Sequence, residues 1–203
     1  MNGMFGVLPY AGQVLLLAVL LTVISGRVVQ DFRLRLGFVA VLLALGLFLP
    51  VSGLTIAQWL RSVTGDLSVL TLVIFSSILA QRLFNYKLVQ ITSKKPLLLG
   101  VAVAGVVFYS LALGVSAFDP YQLGYASVLM SALLCLASII AWLKAKRDLA
   151  IILLLPLLGY NLHLLESGNL WDYLLDPILL IYAVVQSVIS TKLSRFNKVG
   201  SAT

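Results

Sequence analysis

The residues equipped for chemistry in this chain fall in three stretches: Asp119-Pro120-Tyr121-Gln122, Tyr160-Asn161-Leu162-His163, and Glu166 to Pro177, which carries Asn169, Trp171, Asp172, Tyr173 and Asp176. His163 and Glu166 stand three positions apart, the spacing that sets two side chains on one helix face and suits a proton-transfer pair working near neutral pH. A histidine merely hydrogen-bonded to a carboxylate at a helix end fits the same spacing. Asp172 and Asp176 stand four apart and would share a helical face. Two like charges so placed invite a cation or a cationic partner. His163, Glu166, Asp172 and Asp176 are therefore the candidate acid/base or catalytic groups.

A wider set is suited to binding: Asp119, Tyr121, Asn161, Asn169, Trp171, Asp172, Tyr173 and Arg61. Trp171 and Tyr173 beside Asn169 and Asp172 offer flat apolar faces for sugar rings and polar groups for hydroxyls. The same two aromatics equally fit an interfacial belt. Asp119 and Asp176 each precede a proline at an expected helix start, where aspartate caps free amides and proline suits the first helical position. Arg61 is expected to form an ion pair with one of these carboxylates, with a lipid phosphate as the other partner chemistry offers.

Several chemistries are disfavoured by the residues themselves. With His163 the single histidine and Cys135 the single cysteine, the chain has no paired-histidine haem site, no intramolecular disulfide and no multi-cysteine metal site. The last apolar run has no central lysine for a retinal Schiff base, and no span carries an ionisable group near its middle, as pumps and voltage sensors usually require. Nothing resembles a nucleotide-binding loop, a nucleophile elbow or a zinc-protease helix. No cofactor is expected.

The elements that must position these residues are transmembrane. Of 203 residues, 61% are hydrophobic and 10% charged, and mean hydropathy is +1.08, whereas soluble chains are usually about 45–50% apolar and about 25% charged. Apolar runs approaching the roughly 20 residues that cross a bilayer recur between short polar breaks. The reading is an all-α bundle of about seven spans, near 7–25, 38–50, 67–84, 97–118, 120–142, 149–165 and 177–192, forming one integral membrane domain over 1–203. Gln58, Arg61 and Ser62 against Leu54, Ala57, Leu60 and Val63 make 54–64 an amphipathic interfacial helix after the short second span, unless 38–64 is one kinked helix. Asp66 is placed to cap the third span.

Orientation follows from charge. With the N-terminus outside and the C-terminus cytoplasmic, every basic residue except Arg61 falls on the cytoplasmic side, as the positive-inside rule requires. Asp66, Asp119, Glu166, Asp172 and Asp176 then make the outer face acidic. The first run has no positive charge before it and Arg27 after it, which reads as a retained span and not a secretory signal. The net charge of +7 is explained by these loops, so nucleic acid is not an expected partner. Gly100, Ala104, Ser110 and Gly114 on the fourth span, and Ser127, Ser131 and Ser138 on the fifth, would allow close helix packing.

These features point first to a non-catalytic component of cell-envelope metabolism in a bacterial-type inner membrane. It would bind a lipid or lipid-linked glycan, a membrane or periplasmic protein partner, or both, at its outer face. A small intramembrane enzyme acting on a lipid-linked substrate is the alternative. A transporter or flippase of a neutral solute or lipid, using Gln13, Ser76, Ser77, Gln81, Tyr109 and Gln186, is the third reading.

Overall fold

A computed structural model of the chain describes residues 8–86, 88, 94–125 and 127–200. It is all-α apart from one short hairpin. Among the described residues seven helices are 15 to 24 residues long: α1 Leu8–Val28, α2 Phe32–Phe48, α4 Val69–Phe84, α5 Lys94–Ser110, α6 Ser127–Leu143, α7 Arg147–Asn161 and α9 Pro177–Gly200. Two short ones, α3 Ile56–Thr64 and α8 Trp171–Leu174, lie between them. By length and composition one helix among the described residues, Leu97–Val115, is long and apolar enough to cross a membrane, and Tyr10–Gly26, Val69–Phe84, Val128–Leu143 and Pro177–Thr191 are shorter apolar helices.

Local chemistry explains where the helices begin and end. α2 starts at Phe32, six residues before the expected Phe38, because Asp31 accepts the Leu34 amide at 2.9 Å and caps it. The chain between α2 and α3 is not one kinked helix: β1 Pro50–Val51 pairs antiparallel with β2 Leu54–Thr55 across Ser52 and Gly53, both at positive φ (54° and 84°). A two-residue turn with positive φ at both centres matches the twist of a hairpin, and glycine adopts it without strain. Thr55 and Gln58 then form a reciprocal capping box that starts α3.

Three expectations are corrected. Ser68, not Asp66, caps α4, accepting the Thr71 amide at 3.1 Å. The expected run 120–142 is two elements, a 3₁₀ turn Pro120–Gly124 capped by Asp119 and then α6, while α5 runs on into a π turn, Leu111–Val115, unwound at Gly114 (φ 91°). α7 ends at Asn161 and not near Leu165, with the chain turned out of the helix at His163, whose φ is 52°.

α4 sits in the middle, packed on α1, α7, α8 and α9. Its buried Leu70, Ile74 and Phe75 meet Leu16 and Val19 of α1, Ile152 of α7 and Leu179 of α9 in one apolar core. A second core joins Val69 to Met130, Leu170, Tyr173 and Leu174. The most closely packed of the other long helices are α1 with α2, α5 with α9 and α6 with α7. The expected close-packing glycines stand open, since no atom approaches a Cβ built at Gly100 or Gly114 within 4 Å. Gly105 serves instead, with the Leu180 side chain 2.8 Å from where its Cβ would be.

Gly124 is the tightest approach in the fold: a Cβ there would lie 1.7 Å from Asn169 Oδ1 and 2.7 Å from Trp171 Cδ1. Gly124→Ala should therefore destabilise the protein by about 2–4 kcal/mol through forced displacement of packed groups. Gly100→Ala should stay within about 0.5 kcal/mol of wild type or be slightly more stable. Thermal unfolding in one detergent checks both; equal midpoints would sink the packing assignment.

Candidate functional site

The polar residues gather where α4 and α9 begin. Asp176, 3% exposed, caps α9 by accepting the Leu179 amide at 2.8 Å through Oδ1, and through Oδ2 accepts the Ser68 amide at 2.8 Å and the Thr71 hydroxyl. One carboxylate thus terminates two helices. Its charge faces free amides and the positive ends of two helix dipoles, the environment in which a buried carboxylate is tolerated without a cation.

Asp172 lies on α8 but does not share a helical face with Asp176, because α8 ends at Leu174. The Tyr121 hydroxyl donates to both its oxygens (2.8 and 3.1 Å) and the Ser167 hydroxyl to Oδ2. Asn169, fully buried, donates to the Tyr121 carbonyl and accepts the Trp171 amide, both at 2.9 Å. The Trp171 indole donates to the Pro120 carbonyl at 2.9 Å, and its ring lies 4.5 Å from that of Phe108. Tyr173 is also fully buried, with its hydroxyl 3.1 Å from the carbonyls of both Leu165 and Ser167. The 3₁₀ turn is thereby bolted to the 167–174 segment. Tyr173 is shut off from any external ring, and Trp171 is spent on Phe108 and Pro120, which corrects the expectation of a flat sugar-stacking pair.

Arg61 of α3 pairs with Asp66 at 2.9 Å and Glu166 at 3.1 Å and lies over the Tyr10 ring at 5.4 Å. Desolvation opposes its charge, but the hydrogen bonds to the two acids outweigh it and raise the guanidinium's pKa. Glu166 is consequently committed to Arg61 and not to His163. His163 and Glu166 both lie beyond the end of α7, so their spacing sets them on no common helical face; the exposed imidazole meets only the Asn161 carbonyl at 3.2 Å. Asn161 is likewise exposed and bonds its own helix at the Leu157 carbonyl. Neither joins the cluster.

Around these groups is a cavity of about 470 Å³ lined by Asp66, Tyr109, Glu166, Ser167, Asp172 and Asp176 among others. Three of the four acid/base candidates therefore converge, and Asp66 and Tyr109 join them from α3–α4 and α5. All four carboxylates are engaged, Asp66 and Glu166 by Arg61, Asp172 by Tyr121 and Ser167, Asp176 by two helix starts. Among the described residues no group of three or more His, Cys, Asp or Glu is arranged to hold a metal ion. Burial and then the Asp172 contact push the Tyr121 hydroxyl's pKa upward, and burial pushes Tyr173 upward despite the Leu165 amide, which donates to its oxygen at 3.3 Å. Ser68, Thr71 and Ser167 were not singled out by sequence; Ser68 three residues before Thr71 at the head of an apolar run is the signal that marks the first two.

A second, apolar space of about 930 Å³ lies between α1, α2, α3 and α4, lined by Ala11, Leu15, Ala18, Leu43, Leu47 and Leu79, with Tyr10, Thr55 and Gln58 among its few polar residues. No protein family, curated protein or solved structure matches this chain.

Asp176→Ala should cost about 2–4 kcal/mol, combining a lost cap with an orphaned buried amide at Ser68, whereas Glu166→Gln, whose side chain is 75% exposed, should change stability by under about 0.5 kcal/mol. Chemical denaturation of the two variants distinguishes them. Because the folded pKa values of Tyr121 and Tyr173 lie above the unfolded value of about 10, their contribution is complete below that pH and is lost as pH rises through the folded values. Tyrosinate absorbance on an alkaline titration should show Tyr121→Phe losing a late-titrating group; an unchanged curve would contradict the assignment.

Proposed function

We propose that this chain is a seven-span protein of a bacterial-type inner membrane, N-terminus outside. Its function is to hold a lipid at its outer face as a non-catalytic component of cell-envelope metabolism. The observation that carries the reading is the apolar groove between α1, α2, α3 and α4. Its size lies within the about 300–1,000 Å³ typical of small-molecule sites. Tyr10, Thr55 and Gln58 belong to the ends of α1 and α3 on the Arg61 side, so polar groups meet a lipid's headgroup region while Leu15, Ala18, Leu43 and Leu79 run along its chain.

The membrane reading is supported by composition and by outward-facing apolar side chains on the long helices, including Leu113 at 83% exposure, Val128 at 84% and Leu143 at 78%. Helices of 15 to 24 residues measure about 23–36 Å at about 1.5 Å per residue, bracketing a hydrocarbon core of about 30 Å. Patches of this extent would be an aggregation liability in water. Tyr121 and Asp119, with the 167–174 segment, form a hydrogen-bonded platform on which a periplasmic or membrane partner would dock.

A second reading, an enzyme acting on a lipid-linked substrate, is favoured by the convergence of Glu166, Asp172 and Asp176 on one cavity. It ranks second because each carboxylate already has a structural partner.

The test is native mass spectrometry of protein extracted in mild detergent. A lipid should survive on the wild type and on Ala104→Phe, and be lost from Ala11→Phe, which fills the groove from an exposed lining position. Equal retention by all three would overturn the groove as the lipid site.

A further inference from the structure

At the opposite end of the bundle lies a third cavity, of about 570 Å³, between α4, α5 and α9. Its chemistry is unlike that of the other two. Arg82, Asn85, Gln81, Gln186, Ser187 and Tyr182 line it, and no carboxylate does. Tyr182 is held there by an edge-on contact with buried Phe75, ring centroids 5.7 Å apart. Asn85 closes α4 in the left-handed conformation with φ 53°, its amide satisfied by the Ala80 carbonyl, and so turns the chain at the cavity's edge.

Two observations mark this space as suited to a ligand. Ser187 Oγ is buried and makes no hydrogen bond among the described residues, although the Ser187 carbonyl accepts from Ser190 at 3.0 Å and Thr191 at 2.8 Å. Buried hydroxyls in folded proteins are nearly always hydrogen-bonded, so a bare one beside a cavity is open to a further partner. Arg82 forms no ion pair among the described residues: the two salt bridges there both belong to Arg61. Neither Asp31, which caps α2, nor Asp148, in the first turn of α7, lines the cavity.

The lining decides the sign of the ligand. Arginine is a donor only, always charged, and matches the paired oxygens of phosphate with its planar fork. The Tyr182 hydroxyl and the Gln186 and Asn85 amides are further donors, and with no carboxylate among the described lining residues a cation has no counter-charge. α5, which contributes Leu98 to the lining, begins at Lys94 and Lys95, and positive charge at this end attracts anions before contact.

We propose that the cavity bounded by Arg82, Ser187 and Gln186 is a binding site for a phosphate group, held by the Arg82 guanidinium with the Ser187 hydroxyl as an inner donor. The phosphate belongs to the headgroup of an anionic phospholipid in the adjacent leaflet or to a free phosphate ion; both present the same tetrahedral oxygens. The site is distinct from the apolar groove: that groove is lined by Leu72, Ser76 and Leu79 of α4, and this one by Ile78, Gln81 and Arg82 on another face of the same helix.

The experiment compares wild type, Arg82→Gln and Lys146→Gln, the last changing a basic loop remote from the cavity. Delipidated protein in neutral detergent is titrated with phosphatidylglycerol, with phosphatidylcholine and with inorganic phosphate, following bound mass and thermal midpoint. The expected result is phosphatidylglycerol binding about tenfold weaker in Arg82→Gln, the loss of one charge-assisted hydrogen bond. Lys146→Gln should match wild type, and phosphatidylcholine should bind poorly to all. Protection of wild type by inorganic phosphate, lost in Arg82→Gln and with no lipid preference, supports the site with a soluble ion as its ligand. Identical titrations of wild type and Arg82→Gln, or equal weakening by Lys146→Gln, would overturn it, the latter by reducing the effect to diffuse charge. Should Arg82→Gln fail to accumulate, Ser187→Val carries the same comparison, with the same outcomes deciding.

Discussion

A single buried carboxylate organises this bundle. Asp176 satisfies the free amides of two helices at once, Leu179 within its own and Ser68 at the head of α4, and it takes the Thr71 hydroxyl as well. Free amides at helix starts must find acceptors, and a bundle whose side chains are mostly apolar offers few. Bringing both starts to one acceptor fixes α4 and α9 beside each other, and α4 is the helix against which α1, α7 and α8 are packed. The apolar core of Leu70, Ile74, Phe75, Ile152 and Leu179 forms around that fixed pair.

The polar platform depends on the same constraint one step removed. Once α9 is anchored, the segment before it must return over the end of the bundle, and Asn169, Trp171 and Asp172 tie it to the 3₁₀ turn through Tyr121 and Pro120. Gly124 is what allows the two pieces to approach so closely. The aromatic rings that resemble a binding surface in sequence are thereby used internally. The spaces left open are instead the apolar groove beside α3 and the two polar cavities at the ends of the α4, α5 and α9 seam.

The helices were legible from apolar run length and from the punctuation of Pro50, Asp119-Pro120 and Asp176-Pro177. Boundaries moved wherever a single cap outweighed hydropathy, as Asp31 does for α2 and Ser68 for α4. Of the outer polar segments, 119–122 and 166–176 meet while Asn161 and His163 stay apart, and Arg61 with Glu166 is a contact that charge alone suggests. The fate of His163 was not readable, because helical spacing was assumed past Asn161, where a left-handed residue redirects the chain. Helix pairing was not readable either: uniformly apolar faces do not declare their neighbours, and Gly105 differs from Gly100 only in what stands opposite.

The link through Asp176 also has a kinematic meaning. α9 is pinned to α4 at its first turn, touches it again through Tyr182 and Phe75, and is also packed on α5, where Leu180 meets Gly105. A rod held by two neighbours has little freedom to swing. The aperture beside Arg82 and Ser187 is therefore set by the same contacts that seat α9.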